Sequence, residues 1–164
     1  MEISYVLLGS NMGDRTSILE EARNMIEARC GKIIKKSSLY ESEPWGFDTD
    51  QNFINQAICI ETKLSAHDLL KELLNIESEL GRVRNKNQIG YASRPIDLDV
   101  IYYGNMINDD NDLVLPHPRL HLRRFVLEPL CEISSDFIHP VFNVTNKELL
   151  DRCEDEGIVV RYSY

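Results

Sequence analysis

Arg94-Pro95-Ile96-Asp97-Leu98-Asp99-Val100-Ile101-Tyr102-Tyr103 reads as a β-strand. Successive side chains on a strand point to opposite faces. Asp97 and Asp99 therefore share one face, and Ile96, Leu98 and Val100 take the other, where they can be buried. Aspartate is depleted in strands, and two like charges on one face repel. A bound cation reverses that cost. Two carboxylates at this spacing form a rigid oxygen site for a hard divalent ion such as Mg²⁺. Arg82, Arg84 and Arg94 precede the pair, and Arg119, Arg123 and Arg124 follow it. Guanidinium groups bind phosphate oxygens in bidentate fashion and keep their charge. The ligand this combination suits is a polyphosphate.

Working outward, the elements alternate in type. Residues 3–8 form a buried strand, and a helix follows from Asp14 to Arg29, with Ile18, Leu19, Ala22, Met25 and Ile26 at helical spacing. Gly31 is expected to end it in a left-handed conformation. Residues 32–41 read as one strand, and Glu43–Asp50 as a loop broken by Pro44 and Gly46. Residues 53–62 read as a third strand, with Ile54, Ile58 and Ile60 on one face and Phe53, Asn55 and Ala57 on the other. Ser65 to Asp68 resembles a capping box, opening a helix with Leu69, Leu70, Leu73, Ile76 and Leu80 that Gly81 should end. The Asp-bearing strand comes next, then a small hairpin over 106–115. A helical stretch runs from Pro116 to Ile133, a short helix follows a capping box at Thr145–Glu148, and a last strand covers 157–162. Strand–helix–strand–strand–helix–strand is the ferredoxin-like α+β plan, with a mainly antiparallel sheet and helices on one face.

The chain has 164 residues, enough for one domain, 1–164, with a proper core. Hydrophobic residues make up 43% and charged residues 27%, as in ordinary water-soluble domains. No apolar run reaches membrane-spanning length, and Met1–Leu8 lacks the basic start and cleavage site of a signal peptide. Cys30, Cys59, Cys131 and Cys153 show neither CxxC pairing nor zinc spacing, so reduced thiols in a cytoplasmic protein are expected. The net charge of −9 disfavours nucleic acid and anionic membranes as partners. From Arg82 to Arg124, however, six Arg and one Lys face five Asp, a local balance of +2. Such an island suits a small anionic ligand.

Two further segments are candidates. His117 lies between Pro116 and Pro118, which stiffen the backbone that presents it. A neutral imidazole there can donate to a phosphate or ribose, or hold a nearby carbonyl. His67, His121 and His139 show no metal-ligand pattern. Pro44-Trp45-Gly46-Phe47, followed by Phe53 and Asn55, offers aromatic faces for a flat heterocycle and an amide to read its edge; an aromatic plug on the core is the alternative. The chain has no GxxxxGK[ST] loop, no GxGxxG before a helix and no GxSxG. Phosphate binding then falls to the arginines and the metal.

Seven segments in order resemble the 6-hydroxymethyl-7,8-dihydropterin pyrophosphokinases of folate biosynthesis. They are Leu8–Asp14, Ser38–Gly46, Phe53-Ile54-Asn55, Glu77–Arg84, Arg94–Asp99, Pro116–Arg119 and Arg123–Leu130. The resemblance implies a ferredoxin-like fold and transfer of an intact diphosphate from ATP to the pterin hydroxymethyl oxygen, releasing AMP. By the same carry-over Asp97 and Asp99 hold two Mg²⁺ ions, and Arg82 and Arg94 help stabilise the transition state. Glu77, Arg84, His117 and Arg123 would line the ATP site. Ser42, Pro44, Trp45, Phe53, Asn55 and Phe125 would line the pterin site, with Phe53 and Phe125 stacking on the ring. Asp97 is a candidate acceptor for the hydroxyl proton. A monomer is expected.

The chain departs from the family between its two arginine segments. Asn85–Ser93 has neither the Trp nor the additional Arg common there, although its Gly and polar content suit a lid that closes on ATP. Two rival readings stay open: a metal-dependent nucleotidyltransferase attacking an α-phosphate, and a nucleotide- or pterin-binding module without catalysis.

Overall fold

The structure, a computed structural model, describes residues 1–43, 52–84 and 95–163, the side chains of residues 82–84 excepted. β1 (Glu2–Ser10) is buried throughout from residue 4 to residue 10, so it must lie inside the sheet with both faces covered. It pairs antiparallel with β4 (Phe53–Thr62) on one side and β5 (Asp97–Tyr103) on the other. β3 (Tyr40–Ser42) continues the sheet from β4, and β8 (Val159–Arg161) continues it from β3. β2 (Gly31–Lys36) pairs with the far half of β4. The resulting order is β5-β1-β4-β3-β8, with β2 beside β3 along the same strand. β6 (Asn108–Asp109) and β7 (Val114–Leu115) form the expected hairpin.

The single strand expected over 32–41 is thus two strands. The chain stays on β4 through the break, because Ser37 stands in for a rung. Its N–H donates to Ala57 O at 2.9 Å, and its hydroxyl accepts from Ala57 N at 3.0 Å. Gly31 is not a left-handed cap. It opens β2 against β4, where a Cβ would lie 2.1 Å from the Glu61 carbonyl oxygen. The helix ends at Cys30 instead, in a right-handed conformation.

Helices cover both faces, not one. α1 (Arg15–Arg29) and α2 (Ala66–Arg84) bury Ile18, Leu19, Ile26, Leu69, Leu73 and Ile76 against Val6, Leu8, Ile54, Ile58 and Ile60. On the other face α3 (Arg124–Ser134) and α4 (Asn146–Arg152) bury Val126, Leu127, Leu130 and Leu149 against Tyr5, Leu7, Ala57 and Cys59. Each such side chain contributes about 1.5–3 kcal/mol of transfer free energy. The βαββαβ core of the ferredoxin-like α+β fold is present, and the segment after β5 supplies the second layer.

Two other boundaries differ. α2 runs through Gly81 to Arg84, since Gly81 keeps a negative φ and costs the helix only about 1 kcal/mol. The helical stretch expected from Pro116 is interrupted. A 3-10 turn spans Leu120–Leu122, Arg123 is extended (φ −125°, ψ 110°), and α3 follows.

β5 carries a bulge. Val6 faces Val100 and Tyr5 faces Tyr102, leaving Ile101 as an extra residue. Ile101 and Tyr102 consequently join the α3 side together, and Tyr103 goes to the α1–α2 side.

Candidate active site

The floor of the site is one face of three adjacent strands. Gly9 faces Asn55 on β4 and Asp97 on β5, while Leu7 faces Asp99. Odd-numbered residues of β1 and β4 point toward α3, so Leu7, Gly9, Phe53 and Asn55 share the face that carries Asp97 and Asp99. A pocket of about 600 Å³, its open mouth included, lies over them. Ser42 and Glu43 border it at the end of β3, and Arg123 and Phe125 cover it from the start of α3.

Glycine at position 9 keeps that floor open. A Cβ there would stand 2.7 Å from Asn55 Oδ1 and 3.8 Å from Phe53 Cδ1. Asn55 is buried, and its Nδ2 donates to Ser42 Oγ at 3.1 Å. The amide is therefore held in one orientation with Oδ1 toward Gly9.

The opposite wall is cationic. Extended Arg123 turns its side chain into the pocket, with the guanidinium carbon 5.6 Å from the centre of the Phe125 ring. Burial, then the neighbouring Arg119, lowers the Arg123 pKa, and Asp99 opposes them. A guanidinium stays charged through such a shift. His117 belongs to the same group. Burial pushes its imidazole below the ordinary value, Asp99 pulls it back, and Arg123 and Arg119 push it down again. Its Nδ1 accepts from Arg119 N–H at 3.1 Å, so the neutral ring carries its proton on Nε2.

Glu77 is bonded to the backbone of β5. Its carboxylate accepts from Leu98 N–H at 2.6 Å. That donor lies on the edge of β5 between the two aspartates.

Of the residues expected from sequence, the pocket brings together Ser42, Phe53, Asn55, Asp97, Asp99, Arg123 and Phe125. His117 sits beside Asp99 and Arg123, and Glu77 accepts from the Leu98 amide of β5. Pro44, Trp45, Arg94 and the side chains of Arg82 and Arg84 lie outside the described residues, as does the 85–93 loop. Sequence reasoning assigned no role to Leu7, Gly9 or Glu43. Gly9 had a readable signal, since a glycine inside a buried strand marks a close approach.

Among the described residues no three His, Cys, Asp or Glu side chains cluster as a complete metal cage. Two carboxylates on one face, open to a pocket and opposed by a guanidinium, are still a fitting donor set for Mg²⁺. That ion binds through one or two carboxylates and takes its other ligands from water and substrate phosphates.

The profile of the 7,8-dihydro-6-hydroxymethylpterin-pyrophosphokinase family matches residues 5–135. The chain is 40% identical over 160 residues to the 2-amino-4-hydroxy-6-hydroxymethyldihydropteridine pyrophosphokinase of Methylorubrum extorquens, covering 96% of this chain and 98% of that one. With the enzyme of the same name from Porphyromonas gingivalis it shares 38% over 141 residues, covering 85% and 95%. It is 39% identical over 157 residues to a folic acid synthesis protein of Pneumocystis carinii, covering 96% of this chain and 21% of that much longer one. In three dimensions it resembles the Plasmodium falciparum HPPK-DHPS, with a TM-score of 0.74 at 16% identity over 92% of this chain and 44% of that one. At that identity the likeness establishes the fold. Pocket, family profile and full-length bacterial relatives agree: the chain belongs to the 7,8-dihydro-6-hydroxymethylpterin-pyrophosphokinase family, the ATP-dependent pyrophosphokinases of folate biosynthesis.

Proposed function

We propose that ATP and the pterin alcohol meet over the Asn55–Gly9–Asp97 row, with the pterin at the Asn55 end and the triphosphate at the aspartates. The observation that carries this reading is the register itself. Asn55, Gly9 and Asp97 occupy neighbouring positions on three adjacent strands, so the recognition amide and the first carboxylate lie two strand spacings apart, about 10 Å. That is the reach of a two-ring heterocycle with its hydroxymethyl arm.

Phe53 and Phe125 sandwich the ring, and Asn55, fixed by Ser42, reads its polar edge. The pterin hydroxyl oxygen attacks the β-phosphorus in line. The bond from that phosphorus to the oxygen it shares with the α-phosphate breaks, and AMP leaves. The Asp97 carboxylate takes the hydroxyl proton. Arg123 binds non-bridging phosphate oxygens through its planar donors, and His117 donates from Nε2. Asp97 and Asp99 would hold Mg²⁺, which when bound would supply neutralising charge to the triphosphate. Arg82 and Arg94 are assigned to transition-state charge on the family resemblance alone. A cytoplasmic monomer is part of the same proposal, in keeping with the four free cysteines.

The test is incubation with ATP, Mg²⁺ and reduced 6-hydroxymethylpterin. AMP and the pterin diphosphate as products support the reading. Release of inorganic pyrophosphate, or pterin binding without turnover, overturns it in favour of a nucleotidyltransferase or a binding module.

A further inference from the structure

Arg15 is the first residue of α1 and lies on the side of the sheet away from the pocket. A cation at a helix N-terminus opposes the helix dipole, so helix formation alone would favour an acid there. Arg15 makes its contacts elsewhere. Its Nη1 donates to Glu41 Oε2 at 3.1 Å and to the carbonyl oxygen of Asn52 at 2.8 Å. Its guanidinium carbon stands 5.5 Å from the centre of the Tyr162 ring, and the side chain is only 16% exposed.

The position of those two acceptors matters. The β3–β4 ladder ends with the pair Ser42 and Phe53, both at the pocket. Glu41 precedes Ser42, and Asn52 lies one step beyond the last rung. A single nitrogen therefore spans the terminal rung from behind and adds a side-chain link where the ladder would otherwise fray. Ser42 in turn orients the Asn55 amide.

We propose that Arg15 is a positioning residue for the pterin end of the pocket. It holds Ser42 and Phe53 at their spacing by latching Glu41 to Asn52 on the reverse face of the sheet, and it touches neither substrate. The proposal rests on the reading of the pocket given above.

The experiment compares Arg15→Met, Arg15→Lys and Glu41→Ala with the unaltered chain in steady-state kinetics, amide hydrogen exchange and thermal unfolding. Arg15→Met should raise KM for the pterin about tenfold through the loosened rung, leaving KM for ATP within about twofold. Ser42 and Phe53 amides should exchange faster, and Arg15→Lys should recover part of the pterin KM. Glu41→Ala, which leaves α1 intact, should move the pterin KM in the same direction and covers the case in which Arg15→Met does not fold. An unchanged pterin KM in both Arg15→Met and Glu41→Ala overturns the proposal. So does a parallel rise of both KM values with a lowered unfolding temperature. Absence of turnover in the unaltered chain would defeat the pyrophosphokinase reading of the pocket instead, and the two failures are thus distinct.

Discussion

Gly9 and Asn55 face each other across the β1–β4 ladder so closely that a methyl group on Gly9 would stand 2.7 Å from Asn55 Oδ1. The amide is also tied to Ser42, so it has little freedom to yield. Gly9→Ala should break the Asn55–Ser42 bond and narrow the pocket floor. The expected result is pterin affinity lower by about tenfold and stability lower by about 1–3 kcal/mol, the usual cost of overpacking. Calorimetric pterin titration and urea unfolding measure the two.

Asp97→Asn and Asp99→Asn test the metal assignment separately from the pterin site. Each should reduce turnover by about 10²- to 10³-fold, in line with the loss of one preorganised electrostatic partner. Pterin binding should persist, because Phe53, Asn55 and Phe125 are untouched. The rise in unfolding temperature that Mg²⁺ and an ATP analogue give the unaltered chain should shrink in both variants. Near-normal turnover in Asp97→Asn would remove the carboxylate pair from the mechanism.

Glu77 is tied to the strand of the aspartates by a backbone hydrogen bond. Glu77→Ala deletes the acceptor for Leu98 N–H, at the edge of the sheet between Asp97 and Asp99. A lost bond to a charged acceptor costs about 1.5–3 kcal/mol. The Leu98 amide should exchange faster and kcat should fall. Unchanged exchange at Leu98 with a raised KM for ATP would make Glu77 a direct nucleotide ligand instead.

His139 gives a pH signature away from the site. It is 3% exposed, its Nδ1 accepts from Val141 N–H and Phe142 N–H, and its ring stacks on Phe142 at 4.3 Å. Burial, then nearby His121, pushes its pKa down to about 4 from 6.5. The folded state thus keeps it neutral where the unfolded chain binds a proton. Stability from this group is fully present above about pH 6.5 and is lost as pH falls toward 4. The loss amounts to about 3 kcal/mol over that interval. His139→Asn, which preserves an acceptor, should flatten the decline in urea-unfolding free energy between those values.

Much of the fold was legible because its signals are local. The alternation in 53–62, the helical spacing from Ile18 to Ile26 and the capping box at Thr145 each depend on a few neighbouring residues. Gly31 and Gly81 misled because a glycine's composition signal is the same whether it ends a helix, tolerates one or admits a neighbouring strand. Only the approach of the Glu61 carbonyl distinguishes the first case. The second helical layer was missed as a layer, since periodicity says that a face is apolar and not which side of a sheet it meets. In the site, Asp97, Asp99, Asn55 and Arg123 could be named as chemistry. Their convergence depends on the β1 register, and the Arg15–Asn52 contact joins residues 37 apart, beyond the range of any spacing rule.

The bulge at Ile101 divides β5 into two stretches with opposite rules of alternation. Upstream, odd-numbered residues look toward the pocket; downstream, Tyr102 takes that side and anchors α4 through its hydroxyl, 2.7 Å from Asn146 Oδ1. Deletion of Ile101 would restore plain alternation, with Val100 and Tyr103 on the α1–α2 side and Tyr102 on the other. The carboxylates and Tyr102 would keep their sides, and what would be lost is the Ile101 side chain, 1% exposed, that the bulge adds to the layer under α3. One surplus residue lets the strand that carries the carboxylates set two adjacent apolar side chains, Ile101 and Tyr102, against the same helical layer.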